Sequence, residues 1–98
     1  MNTSQIQRYF ESINFALNLL KHPVPIDATP IERANALKQL LPKAEEHTKN
    51  LLDEHQTSLY TSREADTARA RRAAFNIRKD ALLEAIRYRF TGKPIEKP

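Results

Sequence analysis

His22, His47 and His55 are the residues best suited to hold a metal ion or shuttle a proton at neutral pH. His47 and His55 stand eight apart, whereas two ligands on one helical face need a spacing of three or four. No Glu-x-x-His pair occurs, which argues against a di-metal site in a helical bundle. Glu45-Glu46-His47 and Asp53-Glu54-His55 bring suitable types together in sequence. Adjacent residues on a helix point in different directions, so both runs read as charged, solvated helix. A metal site would need ligands from a second chain. No metal and no cofactor are expected.

The nucleophiles give no stronger signal. Ser4, Ser12, Ser58 and Ser62 occur without a strained elbow motif, and no glycine-rich loop is present to cradle a phosphate. Ser4 and Ser62 fit helix starts, where a side-chain oxygen accepts from free backbone amides. There is no cysteine, hence no thiolate nucleophile, disulfide framework or Cys-ligated metal. Catalysis lacks a recognisable constellation, and the chain reads as non-enzymatic with no catalytic residues.

Arginine is the residue type whose placement carries most. Residues 1–60 hold six Lys/Arg against seven Asp/Glu, while residues 61–98 hold ten against five. The balances of −1 and +5 direct attention to an anionic partner for the C-terminal part. Arg63, Arg71, Arg72, Arg78 and Arg89 are the candidate partner-binding residues. Guanidinium groups are weakly hydrated and pair bidentately with carboxylate or phosphate, which suits an acidic protein surface. Nucleic acid is the alternative ligand for the same arginines. It is weakened by the acidic residues Glu64 and Asp66 at the helix start and by the lack of a glycine-containing helix-turn-helix. Tyr88, between Arg87 and Arg89, would be the stacking aromatic for a single strand, and is explained equally well as a core residue. Two further readings are internal pairing of Arg71, Arg78 and Arg89 with Glu45, Glu46 or Glu54, and contact with a membrane surface.

These arginines lie on Thr61–Phe90, a run without Gly or Pro composed almost wholly of good helix formers. Thr61 and Glu64 have capping-box spacing, and Gly92 with Pro94 supplies a stop. One uninterrupted helix of about 42 Å is expected. At about 100° per residue from Arg69, one apolar sector holds Ala65, Ala68, Phe75, Leu82, Leu83, Ile86 and Phe90. A second holds Ala70, Ala74, Ile77, Ala81 and Tyr88, with Arg71, Arg78 and Arg89 between the two. Two apolar stripes predict contact from two sides and hence a central helix.

The elements around it follow from spacing and punctuation. Ser4 to about Lys21 is an amphipathic helix whose buried face is Ile6, Tyr9, Phe10, Ile13, Ala16, Leu17 and Leu20. Phe15 and Leu19 fall outside that stripe and are expected to widen it by packing, the alternative being an exposed apolar spot for a partner. His22–Thr29 is a proline-containing linker, with Val24 and Ile26 positioned to pin it to the core. Thr29-Pro30-Ile31-Glu32 is the sharpest start signal in the chain: cap, proline at the first helical position, glutamate at the third. The buried face that follows is Ile31, Ala34, Leu37, Leu40 and Leu41. Pro42 then kinks the helix or imposes a brief break, after which Ala44, Thr48, Leu51, Leu52, His55 and Leu59 resume the spacing to about Tyr60. A single straight helix from Lys43 to Phe90 would have the seam Leu51, Ser58, Ala65, Arg72, Lys79, Ile86, too polar for a coiled coil.

The expected fold is therefore all-α, a small antiparallel bundle of three to four helices with a long C-terminal helix. Residues 1–90 form one domain and 91–98 a flexible tail. One glycine in 98 residues argues against a turn-rich β fold. No apolar run is long enough to span a bilayer and no cationic leader precedes the first helix, so a cytoplasmic protein is expected. The leading functional expectation is a small adaptor or inhibitor of the kind phages and mobile elements carry, binding an acidic partner, with a homodimer as a further option. A nucleic-acid-binding regulator is second.

Overall fold

The computed structural model describes residues 3–60 and 65–91 as four α-helices and one 3₁₀ turn, packed as a small all-α bundle. Helix α1 spans Thr3–Leu19, one residue ahead of Ser4, so Ser4 lies in the first turn rather than at the cap. Its stripe packs as the spacing requires: Ile6, Phe10, Ile13, Ala16, Leu17 and Leu20 are buried and Tyr9 partly so. The helix ends in a Schellman arrangement, with His22 N donating to Leu17 O at 2.8 Å and Lys21 N to Asn18 O at 3.0 Å. Lys21 occupies the left-handed position at φ 64°, where glycine is usual because a Cβ crowds the following carbonyl.

The linker is held by a side chain that spacing did not single out. Arg33 donates to the carbonyls of Ala28 (3.2 Å), Pro25 (3.2 Å) and Ile26 (3.1 Å), and to Asn14 Oδ1 on α1 at 2.9 Å. Val24 packs against the core, but Ile26 is 94% exposed, so it does not pin the linker.

Helix α2, Pro30–Leu40, starts as the sequence requires. Thr29 Oγ1 accepts from Glu32 N at 3.1 Å, and Glu32 Oε1 accepts from Thr29 N at 2.8 Å. Ala34 and Leu37 are buried, as is Leu41 just beyond the helix. Ile31 lies about 90° around from the centre of that face, by the 100° step, and is half exposed. The interruption at Pro42 is a brief break. Leu41 leaves the helical region at φ −133°, ψ 73°, because the ring of a following proline disfavours helical backbone there, and Pro42–Ala44 form a 3₁₀ turn. Helix α3, Glu45–Tyr60, follows at once and buries Thr48, Leu51, Glu54, His55 and Thr57.

Helix α4 spans Thr67–Thr91. Its start differs from the expected one: Ala65 and Asp66 are not helical, and the proposed capping box at Thr61 and Glu64 lies outside the described residues. Asp66 is the cap, its Oδ1 accepting from Arg69 N at 3.0 Å. Glu54 on α3 fixes this corner, accepting from Asp66 N at 2.7 Å through Oε1. Residues 92–98, most of the expected tail, also lie outside the described residues. Helix α4 packs on α1 and α3 through Ala70, Ala73, Ala74, Ile77 and Ala81.

Candidate binding face

The packed side of α4 explains why the other side is exposed. Four of its five buried apolar contact residues are alanines, which let α1 and α3 approach closely because interaxial distance follows side-chain size. Both neighbours lie on that side, so the second apolar sector receives no cover from the bundle. Phe75 is 65% exposed, Leu82 45%, Leu83 51% and Ile86 46%. The expectation of a helix covered from two sides is therefore corrected: one sector is core and the opposite one is surface. Tyr88, assigned to the inner sector, is 41% exposed, because it lies beyond the last buried residues of the helix.

The arginines of the chain divide by environment. Arg33 is saturated by the linker carbonyls and Asn14. Arg69 forms a short ion pair with Glu54 Oε2 and donates to Asn50 Oδ1 at 2.6 Å. The internal ion pair thus uses Glu54, but with Arg69 instead of Arg71, Arg78 or Arg89. Glu45 and Glu46, the other proposed internal partners, are exposed. Arg87 pairs with Glu84, one turn away, at 3.0 Å.

Arg71, Arg72, Arg78 and Arg89 are all exposed on the solvent side of α4. Arg63 lies outside the described residues. The helical step aligns Arg71, Arg78 and Arg89 along one edge of the exposed apolar strip, and places Arg72 with Lys79 inside it, between Ile86 and Leu83. Among the described residues, the guanidinium groups of Arg71, Arg72 and Arg89 make neither an ion pair nor a hydrogen bond.

Arg78 is different because α1 holds it in place. Its Nε donates to Ser12 Oγ at 2.8 Å, and its Cζ lies 4.6 Å from the centroid of the Phe15 ring. A guanidinium stacked on an aromatic face and tied at Nε is pre-organised, leaving its two terminal nitrogens as a fork for a carboxylate. Ser12 is buried, and Phe15, left outside the α1 stripe by its spacing, supplies the platform. Sequence reasoning identified Arg78 but not this support.

His55 is buried rather than solvated. It stacks on Phe10 with ring centroids 4.3 Å apart, and its Nε2 bonds Gln7 Oε1 at 3.1 Å. With a carbonyl oxygen as partner, Nε2 carries the hydrogen. Nδ1 is buried without a partner, and burial lowers the pKa from its usual 6.5. Among the described residues no group of three or more His, Cys, Asp or Glu is placed to hold a metal ion. No helix among them is long and apolar enough to cross a membrane. The bundle also has a shallow depression of about 300 Å³ beside the linker, lined by Asn14, Leu17, Asn18, Val24, Ile26 and Arg33. Its one charged group, Arg33, is already occupied by backbone carbonyls and Asn14.

No protein-family model matches the chain, and no curated protein or solved structure is detectably similar to it.

Proposed function

We propose that the chain is a non-enzymatic interaction protein, an adaptor or inhibitor, that grips an acidic protein surface with the outer face of α4. The observation that carries this reading is the exposure, on one helix face, of Phe75, Leu82, Leu83 and Ile86 beside Arg71, Arg72, Arg78 and Arg89. An apolar patch that the fold leaves uncovered marks an interaction site, and the cations at its edge and within it set the sign of the partner. Duplex nucleic acid is the second reading, supported by the same exposed guanidinium groups. It gives no use for the apolar side chains between them, since phosphate contacts are polar. The absence of cysteine is compatible with action in the cytoplasm.

The test is affinity capture with quantitative mass spectrometry, comparing the wild type with the double variant Arg71→Glu, Arg78→Glu. Loss of an acidic partner with helicity retained by circular dichroism supports the reading. Equal capture by both forms overturns it. A parallel titration with duplex and single-stranded oligonucleotides separates the second reading, because phosphate binding weakens steeply with salt through counterion release.

A further inference from the structure

We infer that the seam between α1 and α4 is a binding site for one phosphoryl group, carried on a phosphorylated side chain of the acidic partner and held by Arg8, Arg71 and Arg78. This rests on the proposed function and adds what anchors the partner and by which chemistry. The first and last helices run in the same direction. His55, near the end of α3, meets Gln7 and Phe10 near the start of α1, while Glu54 meets Asp66 and Arg69 at the start of α4. Both are thus antiparallel to α3 and parallel to each other. Arg78 bonds Ser12, so Arg8, one turn before Ser12, comes level with the stretch between Arg71 and Arg78. At 100° per residue, Arg8 stands about 20° around α1 from Phe15, and Arg71 about 20° around α4 from Arg78. Two helices therefore line one seam with three guanidinium groups.

Among the described residues no acid offsets these cations. All three are exposed, and Arg8 and Arg71 make neither an ion pair nor a hydrogen bond. Glu11, the one acid of α1, accepts from Asn14 Nδ2 at 2.9 Å, on the side of α1 that meets Arg33. Asp66, Asp80 and Glu84 lie more than about 100° around α4 from Arg71 and Arg78. A carboxylate carries one negative charge and would leave most of this field unanswered. A phosphomonoester carries about −1.5 to −2 at neutral pH on three acceptor oxygens, and clustered arginines are the side chains that take it. Arg78 is the fixed member. Phe15 and Ser12 hold its guanidinium, so its terminal nitrogens donate to two oxygens without the entropy loss of ordering a free arginine. A nucleic-acid strand presents single charges in an unbroken row and asks for cations repeated along the groove. Beyond Arg78 the seam holds Leu19, Leu82 and Ala85, and the next cation on this edge, Arg89, stands about three turns on. Charge gathered at one end suits a single dense anion.

The probe is a peptide with a single phosphoserine, compared with its serine and glutamate forms and followed by NMR through the arginine Nε–H signals of isotope-labelled protein. A saturable shift of the Arg78 Nε–H signal is expected with the phosphopeptide. The glutamate form should bind about fivefold more weakly or worse, and the serine form should give no saturable shift. Arg8→Glu should weaken phosphopeptide binding about tenfold or more, because it sets a like charge beside the anion. Lys43→Glu, the same change of charge at the break before α3, should alter it less than about twofold at physiological salt, where screening acts within about 8 Å. Phe15→Leu tests positioning. It should remove the ring-current shift of the Arg78 side-chain protons and weaken binding about threefold, with helicity retained. Where it unfolds the bundle instead, Arg8→Glu decides, since exposed Arg8 makes no ion pair or hydrogen bond that folding could need. Absence of a saturable shift, equal binding of the glutamate form, or equal losses from Arg8→Glu and Lys43→Glu overturns the inference. Tighter binding to phosphatidic acid vesicles or to duplex DNA, with the same sensitivity to Arg8→Glu, assigns the seam to lipid or nucleic acid and also overturns it. If the capture experiment yields an acidic partner that phosphatase treatment of the lysate does not release, the acidic-surface reading stands and only the phosphoryl site is lost.

Discussion

The two faces of α4 use apolar residues in opposite ways. The inner face is small and close-fitting: Ala70, Ala73, Ala74, Ile77 and Ala81 are buried against α1 and α3. The outer face carries the larger side chains, Phe75, Leu82, Leu83 and Ile86, and leaves them in water. A protein stabilised only by its own core would place the bulky residues inside, where each contributes about 1.5–3 kcal/mol on burial. Here alanines form the core contact and the larger side chains face outward. The difference is one of neighbours: alanine permits the close approach of α1 and α3 on one side, and no helix of the bundle lies over the larger side chains on the other.

That contrast is broken most directly by paired truncations. Ile77→Ala should cost about 3 kcal/mol, the usual range for emptying a packed site. Leu82→Ala, a comparable truncation one turn on, should change stability by less than about 0.5 kcal/mol because its side chain is already exposed. Chemical denaturation of both variants checks this, and a large loss for Leu82→Ala would show that the outer face is part of the fold.

The polar groups sharpen the same division. Glu54 is 2% exposed and serves Asp66 N and Arg69 together. Glu54→Ala should cost about 2 kcal/mol and loosen the start of α4, because it takes the acceptor from Asp66 N, removes the ion-pair partner of Arg69 and empties a buried site. Reversing the exposed Arg72 should leave thermal stability nearly unchanged. The melting temperatures of the two variants, read side by side, test the assignment of the arginines.

Acidification probes the interior in another way. His55 has a folded pKa below its usual 6.5 because burial disfavours the charged ring. Below pH 6.5 the unfolded chain therefore takes up a proton that the folded chain refuses. Stability is full above that pH, falls as pH drops through 6.5, and levels off below the folded pKa. Melting temperatures between pH 7.5 and about 5 should show this decline, and His55→Phe should reduce it. The smallest effect lies at the end of α1. Lys21→Gly should raise stability by about 1 kcal/mol or less, by removing the Cβ strain of a left-handed residue against glycine's larger entropy loss on folding.

Several parts of this architecture were legible before any coordinates. The capping box at Thr29 and Glu32 acts within four residues of chain, and the stripe of α1 from Ile6 to Leu20 repeats at helical spacing. Pro42 acts on the residue before it through steric contact. These are local causes with local effects. The end of α1 was placed near Lys21 by its spacing, but nothing in the type of residue there marks a left-handed turn; the bonds to Asn18 and Leu17 impose it.

Around α4 the limit of the sequence is physical. Spacing alone established a long helix with two apolar sectors and an arginine row between them, since periodicity is a property of one chain segment. Which sector became core depended on where α1 and α3 came to lie, and on alanine permitting their close approach. The fates of the arginines were settled in the same way: Arg69 met Glu54 across two helices, and Arg78 met Ser12 and Phe15, contacts between residues 15 to 66 positions apart. Helical periodicity records the angle of a side chain about its own axis, and only the packing of neighbouring helices decides which angles face protein and which face water.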